Sequence, residues 1–224
     1  MLLYMEIAVR IARVRERIAA ACARTGRAPE EVTLIAVTKG FGPDVVREAV
    51  EADVRDFGEN RVQEAGAKIG TLADLPRDVR WHMIGHLQTN KVKTAVELFD
   101  TIHSVDSIHL AEAISRRAPA PVPVFLEVSV AGEASKSGFS QTDVQRARET
   151  IGGMPGLQVQ GLMTVAPMTD DTEEARPVFR QLADLAHALG LNKLSMGMSD
   201  DFEVAVEEGA THVRLGRVLF GERS

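Results

Sequence analysis

Two hydrophobic periods take turns along this chain. Over the first 25 residues Ile7, Ile11, Val14 and Ile18 recur at spacings of three or four. Arg10, Arg13, Arg15, Glu16 and Arg17 fill most of the gaps, which predicts an amphipathic helix stopped at Gly26. Beyond it, short β-branched runs alternate with helix-period segments. The runs predict strands over 32–38, 54–57, 81–84, 101–105, 122–130, 159–165, 193–195 and 211–215. The intervening segments predict helices over 43–50, 62–69, 88–98, 108–117, 142–150, 172–189 and 202–208, with the last helix short or missing. Pro43 suits a first helical turn, and Asp106 and Ser107 are good caps for the helix at 108.

Strands that alternate with helices imply a parallel sheet, because each crossover returns the chain in the same direction. Eight such units favour a closed (β/α)8 TIM barrel over an open sheet. With 224 residues the chain is slightly shorter than the ~250 typical of that fold, so connections must be short. The stretch Arg117-Ala118-Pro119-Ala120-Pro121-Val122-Pro123 is stiff but too short for a domain linker. The expected organisation is one barrel domain over 1–224, with residues 1–26 as an extra N-terminal helix packed on it.

Composition narrows the function classes. A net charge of −6 argues against general binding to nucleic acid or anionic membranes. The single cysteine, Cys22, excludes an intrachain disulfide framework and a multi-cysteine metal site. The six histidines lack metal-ligand spacing. His82 and His86 are four apart, but across a strand-to-loop junction, so His82 reads as a packed strand residue. No run has 18 uncharged apolar residues, and the start lacks a basic region before an apolar stretch, so a soluble cytoplasmic protein is expected.

In a barrel of this kind, reactive residues sit at the C-terminal ends of the strands. Lys39 closes the first apolar run, where burial would lower its pKa and give a neutral amine able to form a Schiff base with an aldehyde. Gly58-Glu59-Asn60, Gly85-His86, Ser104 with Asp106, Met163-Thr164, Ser199 and the segment 214–217 fall at the other strand ends. Ser195-Met196-Gly197-Met198-Ser199-Asp200-Asp201 and Val213-Arg214-Leu215-Gly216-Arg217 look like phosphate-binding turns. Gly197 would let backbone approach a ligand, and Ser199 would offer a hydroxyl and cap a helix beginning near Asp200. Gly216 and Arg217 would give amides to the same oxyanion. An aldehyde trap and a phosphate cradle on one barrel suggest pyridoxal 5'-phosphate (PLP).

Together these blocks resemble the pyridoxal 5'-phosphate homeostasis protein family, whose barrel is like the N-terminal domain of alanine racemase. The similar residues are Ala36-Val37-Thr38-Lys39, Phe57-Gly58-Glu59-Asn60 with Gln63-Glu64, and Trp81-His82-Met83-Ile84-Gly85-His86-Leu87-Gln88-Thr89-Asn90-Lys91. They continue with His103-Ser104-Val105-Asp106-Ser107, Ser135-Lys136-Ser137-Gly138-Phe139, Gly161-Leu162-Met163-Thr164 and the segments 194–201 and 213–221. The resemblance implies PLP bound through Lys39, phosphate held by Ser199 and the Gly216 and Arg217 amides, and Arg214 near the pyridine nitrogen. Asn60 and Met196 complete the implied cofactor residues. His86 stands where many relatives have proline, and Gly40-Phe41 replaces a more usual small polar pair.

Plainer roles stand beside these. Arg214 could pair with Asp200, Asp201 or Glu203. Asn60 and Ser199 could simply cap helices. Met163, Met168, Met196 and Met198 read as filling of the barrel mouth. Lys91 and Lys136 read as exposed or ion-paired, with 135–139 as a possible lid. Three functions follow. The first is a monomeric PLP carrier that buffers the cofactor and supplies apo-enzymes. The second is a PLP-dependent amino-acid racemase, and the third a PLP-free sugar-phosphate isomerase using Glu59, His86 or Asp106. Racemases of this barrel type take an opposite-face tyrosine from a second domain. This sequence carries no such domain, and its one tyrosine, Tyr4, lies in the first helix. An arginine at the pyridine nitrogen also weakens the ring as an electron sink. Both points favour the carrier.

Overall fold

The computed structural model describes residues 2–130, 137–169 and 171–222. The Ser135 and Lys136 positions of the expected lid lie outside the described residues, as does the side chain of Tyr4.

Eight strands close a parallel barrel in chain order: β1 (Thr33–Val37), β2 (Asp56–Glu59), β3 (Arg80–Met83), β4 (Thr101–Val105), β5 (Val122–Glu127), β6 (Leu157–Met163), β7 (Lys193–Ser195) and β8 (His212–Leu215). Closure comes from β1 lying beside β8, with Ala36 opposite Leu215. The helices are α1 (Leu2–Thr25), α2 (Pro43–Glu51), α3 (Val62–Gly70), α4 (Val92–Leu98), α5 (Ile108–Ser115), α6 (Val144–Gly152), α7 (Arg176–Ala188), α8 (Phe202–Glu207) and α9 (Arg217–Phe220).

The periodicity of the first segment does its work in α1. Ile7, Ile11, Val14, Ile18, Ala21 and Cys22 are all buried on one stripe. That stripe packs on α2, α8 and α9. Arg17 reaches Glu203 at 3.0 Å and lies over the Phe202 ring, while Arg27 holds the Val206 and Ala210 carbonyls at 2.8 and 3.0 Å. Gly26 ends the helix at φ +70°, a left-handed conformation that favours glycine.

Several boundaries differ from the sequence reading. The second strand begins at Asp56 and runs through Gly58 and Glu59, because Asp53 turns the chain at φ +63° and Val54 bonds back to Ala49. The expected helix over 88–98 opens with a 3-10 turn, Thr89–Lys91, before α4. The long helix expected over 172–189 is likewise a 3-10 turn, Thr172–Ala175, followed by α7. Pro177 sits in the first turn of α7, where its missing N–H costs no helical bond.

Candidate functional site

The C-terminal ends of the strands place the candidate residues. Lys39 leaves β1 half-buried, and Asn60 leaves β2; each comes two residues after the register pair Val37–Gly58. The backbone on both sides of Lys39 is clamped by α3. Lys68 Nζ donates to the Thr38 carbonyl at 2.6 Å, and Glu64 accepts the Gly40 amide. Lys68 also pairs with Glu59, and Thr38 Oγ1 donates to the same Glu59 oxygen at 2.6 Å. Side chains of Lys68 and Glu59 are 4% and 0% exposed, so this is a buried ion pair behind the strand end.

Lys39, Gly216 and Arg217 line one pocket of about 370 Å³ with Val37, Phe41 and Gly221. Ser199 and Arg217 share a neighbouring, wider cleft of about 800 Å³. The Ser199 hydroxyl accepts from the Val218 amide at 3.3 Å, which ties the loop after β7 to α9. The expected capping of the next helix therefore falls elsewhere. Asp201 is the N-cap of α8 and binds back to the Met198 amide at 2.5 Å. The Arg217 amide heads α9 and, as at any helix start, has no partner within the helix. Its side chain pairs with Asp200. Gly197 has φ +90°, and a Cβ there would meet Ala205 Cβ at 2.6 Å. Only glycine keeps this turn tight. Its carbonyl accepts the Arg214 amide at 3.0 Å, which fixes the turn to β8.

Arg214 lies inside the barrel and is only 5% exposed. It pairs with none of Asp200, Asp201 or Glu203 by hydrogen bond. Its Nη1 donates to Ser195 Oγ at 2.6 Å and its Nη2 to the Thr164 carbonyl at 2.8 Å. Burial brings its pKa down to about 10, opposed by the charges of Asp201 and Glu127, so it stays cationic at neutral pH. Two of its five N–H donors are thus engaged among the described residues, and three remain. Burial raises the carboxyls of Asp201 and Glu127. Glu127 also receives the Ser137 hydroxyl at 2.8 Å, which partly offsets its rise.

Asn60 does not cap α3, whose N-cap is Arg61. Its Oδ1 is buried with no hydrogen-bond partner among the described residues, so it is an acceptor in need of a donor. It opens to a pocket of about 430 Å³ shared with His86 and Lys91. His86 is mostly exposed and bonded to Asp106 at 3.1 Å. Met196 and Met163 are buried, as expected of mouth filling, but Met168 is 96% exposed and fills nothing. His82 is a packed strand residue, hydrogen-bonded to Asp56 and His103.

Sequence reasoning missed the clamp formed by Glu64 and Lys68. Their i,i+4 spacing on a helix face was the available signal. It also missed Ser195 and Thr164 as partners of Arg214, which meet it only through the register of β6, β7 and β8. Among the described residues no three His, Cys, Asp or Glu gather as a metal site, and no helix is long and apolar enough to cross a membrane.

The arrangement offers a half-buried amine, backbone amides and a hydroxyl at the turns after β7 and β8, guanidinium donors and an orphan amide oxygen. Groups of these kinds are what the aldehyde, phosphate, ring nitrogen and ring hydroxyl of a pyridoxal phosphate would need. Residues 9–224 match the family model described as alanine racemase, N-terminal domain. The pyridoxal phosphate homeostasis protein of Pseudomonas aeruginosa is 45% identical, over 97% of this chain and 96% of that protein. Its namesake from Aquifex aeolicus is 43% identical, over 98% and 99%. The structure of PipY from Synechococcus elongatus with PLP bound is 40% identical, with a TM-score of 0.85 over 96% of this chain and all of that one. Alanine racemase from Corynebacterium glutamicum shares the fold at 18% identity and a TM-score of 0.73, with 60% of its length covered.

Proposed function

This chain belongs to the pyridoxal phosphate homeostasis protein family, and we propose that it binds PLP through a Schiff base on Lys39 and buffers or supplies the cofactor. The observation that carries the reading is the half-buried Lys39 sharing one pocket with Gly216 and Arg217. When bound, the cofactor supplies an aldehyde that condenses reversibly with an amine. Lys39 is the amine, and the α3 clamp fixes the backbone that carries it. Ser199 and the Gly216 and Arg217 amides hold the phosphate. Arg214 donates to the pyridine nitrogen, Asn60 lines the ring, and Met196 packs beneath the phosphate turn.

A cationic donor at the ring nitrogen keeps that nitrogen unprotonated, which weakens the electron-sink property most PLP enzymes use. This supports a carrier. The reading includes a monomeric, cytoplasmic protein that hands PLP to apo-enzymes and turns over no substrate. To test it, the protein and its Lys39→Ala variant are titrated with PLP, with the visible Schiff-base band as readout. The loaded protein is then mixed with an apo PLP enzyme, and with alanine and serine. The expected result is a band lost in the variant, reactivation of the apo-enzyme and no racemisation above background. A band that survives Lys39→Ala overturns the anchor. Racemisation at ordinary enzyme rates overturns the carrier.

A further inference from the structure

Barrel interiors of this class are usually packed with layers of branched apolar side chains. Here a line of polar groups crosses the interior instead. Arg80, at the N-terminal end of β3, donates to Asp56 Oδ2 at 2.9 Å. Asp56 Oδ1 lies 2.9 Å from His82 Nε2, and His82 Nδ1 lies 3.0 Å from His103 Nε2. His103 Nδ1 is 2.8 Å from Ser195 Oγ, which receives Arg214 Nη1 at 2.6 Å. The five residues from Asp56 to Arg214 come from β2, β3, β4, β7 and β8, and each is at least nine-tenths buried. Phe125 stacks on the His103 ring at 4.4 Å between centroids, and His212 meets both rings edge-on.

The partners constrain where the protons lie. The carboxylate of Asp56 is held below its usual range: burial pushes it up, but the His82 hydrogen bond and the charges of His82 and Arg80 outweigh that. An ionised carboxylate only accepts, so His82 Nε2 carries the proton toward it. His82 Nδ1 and His103 Nε2 share one proton, and the chain proposed below places it on His103 Nε2. His103 is kept neutral by burial and by nearby positive charge. With that proton on Nε2, its Nδ1 accepts and the Ser195 hydroxyl donates to it. Ser195 has then spent its one proton, and its lone pairs face the Arg214 guanidinium. From Arg214 to Asp56 every donor then points the same way, from the mouth toward the opposite face, and Arg80 meets Asp56 from the other side. A line of this kind gains little net stability over apolar packing, so its use is sought in what it orients.

We propose that Asp56, His82, His103 and Ser195 are positioning residues for Arg214, forming one single-direction hydrogen-bond chain that fixes the guanidinium and leaves its remaining donors to the cofactor's ring nitrogen. The proposal rests on the PLP reading given above. It places residues at the far face of the barrel in control of the cofactor site.

The test has two arms. In the unloaded protein, ¹⁵N NMR of the imidazoles reports which ring nitrogen carries the proton. The expected result is a single His103 tautomer with Nε2 protonated and Nδ1 bare, which becomes mixed in Asp56→Asn. A His103 protonated at Nδ1 overturns the direction of the chain. In the second arm PLP is titrated into Ser195→Ala and His103→Phe, the latter keeping an aromatic ring against Phe125. Loss of one positioning hydrogen bond predicts a Kd raised about tenfold in each, with borohydride still reducing PLP onto Lys39. Ile35→Val, equally buried in the barrel, leaves the Kd unchanged. A Kd within about twofold of the parent in both variants overturns the positioning role. If the parent protein itself fails to take PLP at Lys39, the functional reading falls, while the tautomer measurement still decides the chain's direction.

Discussion

Lys68→Met probes the ion pair behind Lys39. Lys68 Nζ lies 2.5 Å from Glu59 Oε1 and 2.6 Å from the Thr38 carbonyl. The second Glu59 oxygen has no partner among the described residues, so the carboxylate relies on Lys68 and the Thr38 hydroxyl. Methionine keeps the apolar stem and removes the charge. Glu59 is then left buried without its cation, and breaking one side of a buried pair costs about 3–5 kcal/mol. That is a fifth or more of a typical domain's ~5–15 kcal/mol. Urea unfolding reads it directly: with m near ~2 kcal/mol/M, the midpoint falls by about 2 M. The double variant Glu59→Leu/Lys68→Met recovers most of the loss, because two apolar side chains leave no stranded charge. A single variant within about 1 kcal/mol of the parent, or a double variant no more stable than the single one, refutes the reasoning.

Three further outcomes follow from the same geometry. A Cβ on Gly85 would sit 2.7 Å from Asn60 Cα, so Gly85→Ala displaces Asn60 and weakens PLP binding; an unchanged Kd contradicts the place of Asn60 in the pocket. Burial keeps His103 neutral and drops His212 to about 3, with the charges of His82 and Lys193 adding to the fall. In the unfolded chain both take up a proton near pH 6.5, so their cost is absent above that value. Stability then falls with pH, by up to about 1.4 kcal/mol per unit for each histidine. Thermal melts between pH 7 and 5 show this slope, and His212→Leu makes it shallower; a slope unchanged in that variant is the contrary result. Asp56, whose folded pKa is depressed, adds its own loss only at lower pH, as the pH falls below about 4.

Period alone was enough to find all eight strands, because buried parallel strands are short β-branched runs with polar punctuation. Thr101–Val105 and Lys193–Ser195 match their predicted bounds. Boundaries moved where local geometry overrode pattern: Val54 looks like a strand residue, but the turn at Asp53 delays β2 to Asp56. Gly58 and Glu59 look like a loop, yet ladder pairing with β3 keeps them extended. The candidate mouth residues could be picked out because strand ends are where this fold puts its chemistry. The interior line was not. His82 and His103 each occupy an ordinary alternating position, and nothing in one strand reveals that β7 will bring Ser195 between His103 and Arg214. Likewise Ser199 reads as a cap for the nearest helix, but its hydroxyl crosses to Val218, nineteen positions on.

Borohydride reduction of the PLP-loaded protein, followed by peptide mass mapping, decides whether Lys39 anchors the cofactor. The expected product is a phosphopyridoxyl adduct on Lys39 alone, absent from Lys39→Ala. An adduct spread over surface lysines, or none at all, contradicts that anchor.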